Sequence, residues 1–61
     1  MITYTNEGCK TALETIAALY MKLGALKPTE NFTLEDISNT MTYLDHYKHE
    51  IKRELRQREN L

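Results

Sequence analysis

The residues best equipped for chemistry fall in one short run, Asp45-His46-Tyr47-Lys48-His49-Glu50. On a helix, Asp45 and His49 are four apart, His46 and His49 three apart, and His46 and Glu50 four apart, so each pair can share a face. Carboxylate and imidazole at such spacing are the donors that bundle-type zinc and iron sites use. The heptad around them argues for a plainer role. It places His46 and His49 at outer positions, toward water, and the preceding helix offers only Cys9 or Glu14 as further ligands. The residue order of a zincin is absent. The expectation is a solvated helix surface with weak His–carboxylate pairs and no metal.

Cys9 is the single cysteine, and no histidine lies near it in sequence. It falls on the apolar face of a helix, where a thiol serves as a small buried hydrophobe rather than a nucleophile. There is no glycine-rich phosphate loop and no Ser-His-Asp order. Two helices in 61 residues scarcely enclose a pocket. No catalytic residue and no cofactor is expected, and the chain reads as non-enzymatic.

The elements that carry these residues are legible from apolar spacing. From Leu34 to Leu55 the apolar positions are 34, 37, 41, 44, 51 and 55, a 3-4-3 pattern interrupted by Lys48. That pattern draws one stripe along a single helix, and the stripe needs a second helix to cover it. Thr33 followed by Asp36 approaches a capping box, Glu35 and Asp36 suit the positive end of the helix dipole, and Lys52, Arg53, Arg56 and Arg58 suit the negative end. The second helix is therefore placed at about 34–59. The first, about 6–23, opens on Thr5 or Asn6 and runs through Cys9, Leu13, Ile16, Tyr20 and Leu23 to Gly24, the natural stop. Gly8 weakens its first turn. Residues 1–4 are either a frayed tail or a short extended arm. The joint, 24–32, contains Pro28, which disfavours one continuous helix. Leu26 and Phe32 are expected to fold back onto the helix ends.

The predicted fold is all-α, a single-domain two-helix antiparallel hairpin that dimerises into a four-helix bundle. Two features ask for the second copy. The first helix spans roughly 25 Å and the second roughly 40 Å, which leaves Ile51 and Leu55 overhanging. Residues Ile16 to Met21 are apolar on nearly every side, which implies cover from more than one direction. The core and dimer residues are then Ile16, Leu19, Tyr20, Leu34, Ile37, Met41, Leu44, Ile51 and Leu55. Lys48 at a core position either sets register or lays its stem along the seam and carries its ammonium outward; the second is preferred.

Net charge is −1, so no global field draws the chain to nucleic acid or anionic lipid. The apolar run Ile16–Met21 is too short to span a membrane. A lone thiol and an N-terminus without a basic start or apolar run suit a cytoplasmic protein, which leaves the sequon Asn31-Phe32-Thr33 without meaning. Function is expected to be protein–protein binding, as a regulator, inhibitor or assembly factor. The partner surface is placed at Tyr43, Tyr47, Lys52, Arg53 and Arg56, where tyrosine and arginine offer buried area with a polar handle. The alternative is a nucleic-acid-binding bundle or helix-turn-helix regulator using the same basic residues.

No residue motif assigns a family. Leu34 to Met41 resembles the first helix of a helix-turn-helix, but Thr42 stands where the turn usually has glycine, and the heptad runs through it. The hairpin plan resembles the plasmid RNA-binding bundle Rop in length and layout alone. Leu44-Asp45 resembles the motif of small sporulation phosphatases, with Met41 where that motif has serine.

Overall fold

The computed structural model describes residues 2–59. Two helices, α1 (Asn6–Ala25) and α2 (Leu34–Glu59), pack against each other, and no strand occurs among the described residues. The hairpin is a rod, 48 × 16 × 14 Å.

Local chemistry sets the helix ends. The Gly8 N–H donates to Thr5 Oγ1 at 3.0 Å, so Thr5 caps α1, and Asn6 is its first residue. Gly8 does not delay the start. Its missing Cβ would stand 3.3 Å from Tyr4 Cβ, so glycine lets the preceding residues lie close across the first turn. At the other end α1 continues through Gly24 to Ala25, two residues further than the glycine suggested. Gly24 keeps a negative φ, and the chain leaves through Leu26 in an extended conformation (φ −72°, ψ 139°). Pro28 explains the exit: it steers the residues before it away from helix, and no left-handed glycine cap is needed. The Thr33 N–H donates to Asp36 Oδ2 at 3.0 Å, and the Asp36 N–H donates to Thr33 Oγ1 at 3.2 Å. This is a reciprocal capping box with aspartate in the glutamate's place. α2 then runs unbroken through Thr42, whose hydroxyl donates to the Ser38 carbonyl at 3.1 Å. The joint is tied by the Thr29 N–H to the Phe32 carbonyl (2.9 Å). Phe32 is half-buried there, whereas Leu26 stays half exposed.

Cys9, Ile16 and Ile51 form the central buried cluster, with Ala12, Leu13, Tyr20, Leu44, Tyr47 and Leu55 packed around it, and Ile37 is buried nearer the joint. The expected overhang of α2 does not occur. Ile51 is wholly buried and Leu55 half-buried. α1 itself reaches that end of α2, since Cys9 packs with Ile51 and Asn6 meets Arg58, and the segment before it is an arm docked on α2. Ile2 packs on the core cluster, and the Tyr4 hydroxyl is hydrogen-bonded to that of Tyr47. Arg58 holds the arm from the far end of α2. Its guanidinium donates to the Tyr4 carbonyl at 2.7 Å, to Asn6 Oδ1 at 2.9 Å and to Glu54 Oε1 at 3.3 Å, and one N–H points at Cys9 Sγ, 3.8 Å away.

Candidate interaction surface

The heptad stripe of α2 supplies the side that meets α1, which fixes what every other residue on that helix faces. Lys48 lies on the stripe, half-buried, with its ammonium 5.9 Å from the centre of the Tyr20 ring. The stem follows the seam and the charge rests near an aromatic face, an arrangement in which the ring quadrupole attracts the cation. The Tyr20 hydroxyl is 3.4 Å from both the Met41 carbonyl and Asp45 Oδ1, and its single proton is shared between them. Loss of water around the hydroxyl, and then the Asp45 carboxylate, push the Tyr20 phenol up from its ordinary value. The hydrogen bond with Tyr4 is the main cause of an upward shift at Tyr47.

The five residues expected to form one partner surface are divided between two. Tyr43 and Tyr47, with His46 and Glu50, line one shallow concavity. Lys52, Arg53 and Arg56, with His49, line another. On the helical wheel the two groups lie on opposite sides of the core stripe. Tyr43 is 70% exposed, while Tyr47 is occupied by the arm. The basic group is better focused than its sequence spacing indicated, because His49, Lys52, Arg53 and Arg56 follow at i, i+3, i+4 and i+7 on one ridge.

Asp45 and His49 pair at 3.5 Å, both well exposed, a geometry that contributes little to stability. Among the described residues no three His, Cys, Asp or Glu side chains come together as a metal site. Cys9 is fully buried under Arg58.

Of the expected core and dimer residues, Ile16, Ile37 and Ile51 are buried, and Tyr20, Met41, Leu44 and Leu55 are half-buried. Leu19 and Leu34 are exposed, as are Ala17, Ala18 and Met21. A third shallow groove, about 250 Å3, separates the helices where Leu13, Ala17 and Tyr20 meet Lys48 and Lys52. Arg58 and Tyr4 had no signal in the sequence as a joined pair. They are 54 residues apart, and no helical period connects them.

No helix among the described residues is long and apolar enough to cross a membrane. The chain matches no family model, and no curated protein or solved structure is detectably similar to it.

Proposed function

We propose that this chain is a non-enzymatic helical binding module, a regulator, inhibitor or assembly factor, which first pairs with a second copy and then engages a larger protein. One observation carries the reading: the single hairpin leaves too much surface open. Its accessible area is 5162 Å2, against about 4,100 Å2 for a compact chain of this mass. Its radius of gyration is 13.9 Å, where about 10.5 Å is typical for 61 residues. The excess, about 1,000 Å2, is close to what one partner contributes to a standard protein interface. It includes large apolar side chains: Leu19, Met21, Leu26, Leu34 and Tyr43. Apolar surface of this kind marks association sites. The larger partner is assigned to the exposed residues of α2, with Tyr43 on one side and Arg53 and Arg56 on the other; Lys52 stands between these arginines and the groove that separates the helices.

A nucleic-acid reading is favoured by one feature, the convergence of Lys52, Arg53 and Arg56 with His49 on one groove. Capture from the native host at physiological salt, with and without nuclease, separates the two. The first reading expects a protein that remains bound after nuclease and is lost when Arg53→Ala and Arg56→Ala are combined, with helicity unchanged. Nucleic acid in the captured fraction, with a salt slope reduced by about one per removed arginine, overturns it in favour of the second.

A further inference from the structure

The geometry points to one particular seating for the second copy: face to face through the open side of the hairpin, with the two rods antiparallel. This rests on the self-pairing proposed above and adds the face and the orientation.

The face follows from what is already covered. The arm occupies one flank of α2: Ile2 lies in a concavity with Glu50, Arg53, Glu54 and Gln57, and Tyr4 bonds Tyr47. Among the described residues the opposite side of the hairpin carries no such cover. There Leu13 and Ala17 from α1 and Lys48 and Lys52 from α2 line one groove, whose surface is mostly apolar. Helical spacing extends it toward the joint. Met21 follows Ala17 at i+4 on α1, while Leu34 and Met41 precede Lys48 at successive i+7 steps on α2. Met21 is 78% exposed and Leu34 69%, so the apolar part of this face is open to water. A sheet of side chains that joins both helices on one side is the surface by which two hairpins stack into a four-helix bundle.

Charge selects the orientation. Tyr20 beside Met41 and Asp45 sets the level of the two helices, so residues 17–45 make up the joint half of the rod. That half holds two lysines against four acidic residues. The other half holds six Lys and Arg against five acidic residues, together with both histidines. Stacking with joints at the same end sets like against like; antiparallel stacking sets the acidic half of each copy over the basic half of the other. A two-fold axis through the middle of α2 also brings Asp45 of one copy level with Lys48 of the other, which gives the polar residue in the stripe a register-setting partner. The area argument is met as well, since about 800 Å2 per copy makes a standard interface and the hairpin has that much in excess.

The test is a distance between two copies of one label. Spin labels on Glu30→Cys, in a Cys9→Ala background, report whether the two joints lie at the same end. Antiparallel stacking predicts a separation of about 40 Å, from two half-lengths of helix. Joints at the same end predict a distance of roughly 10–20 Å, the spacing of packed helix layers plus labels; that result overturns the orientation while leaving self-pairing intact. Absence of any dipolar signal at 100 µM overturns both. Met21→Glu and Leu34→Glu, each on an exposed side chain, are expected to weaken association by at least tenfold with circular dichroism retained. Unchanged association in both variants overturns the choice of face.

Discussion

Arg58 shows how much of this small fold hangs on a few side chains. Its planar fork reaches the Tyr4 carbonyl, Asn6 and Glu54 at once, and so fastens the arm across the end of α1. A lysine has the charge without the fork, so Arg58→Lys is expected to cost about 1 kcal/mol and to speed hydrogen exchange in the first turn of α1. Exchange rates equal to those of the parent chain would show that the arm holds without it. Ile51 is the other indispensable residue. With no exposed surface at all, its truncation to alanine should cost about 2–5 kcal/mol, a large share of the stability a chain of this size can have, read as a lower midpoint in chemical denaturation. The tyrosines add a pH dependence. Tyr20 and Tyr47 have phenols raised above the ordinary 10.0, so the folded state keeps protons that the unfolded chain gives up. Their contribution is complete below pH 10 and is lost as pH rises through the folded-state values. Melting temperature should fall as pH rises above 10, and less steeply in Tyr47→Phe.

The helices themselves were largely readable, because what starts and stops them is local. Thr5, Thr33 and Asp36 act within three residues of the groups they cap, and the stripe from Ile37 to Leu55 follows one period. Gly24 misled for the same local reason. Its type suggested a left-handed stop, but the end of α1 is decided by Pro28 four residues on. Whether the residues before α1 fray or form an arm was not readable, since Ile2 and Tyr4 gain their places from the core cluster, Tyr47 and Arg58, all distant in sequence or set by tertiary packing. Two substitutions follow. Gly24 has a helical φ and nothing within 4 Å of an added Cβ, so Gly24→Ala should stabilise by about 0.5–1 kcal/mol in chemical denaturation. A loss of stability would place the glycine in a role the hairpin does not show. Thr42→Gly, in the middle of α2, should cost a few tenths of a kcal/mol, the gap between threonine and glycine on the helix scale; a gain in stability would indicate a turn there rather than a helix.

At the level of the whole molecule the hairpin is a rod with one flank strapped by its own arm and another left open. Sequence periodicity located the apolar residues but not which of them the chain covers for itself. The mismatch in helix length, one of the two reasons for expecting a second copy, does not bare Ile51 and Leu55, because the start of α1 and the arm lie level with the end of α2. The other reason stands: Ala17, Ala18, Leu19 and Met21 remain in water. The residues expected at one partner surface fall on two sides of α2, since tyrosines and basic residues close in sequence are separated around the helix. Self-association is the first step of the function proposed for the chain. Sedimentation equilibrium from 1 to 100 µM measures it directly. The predicted result is a mass that rises to twice 7.2 kDa, with a melting temperature that climbs over the same range. A mass of 7.2 kDa throughout, with a cooperative melt independent of concentration, would contradict it.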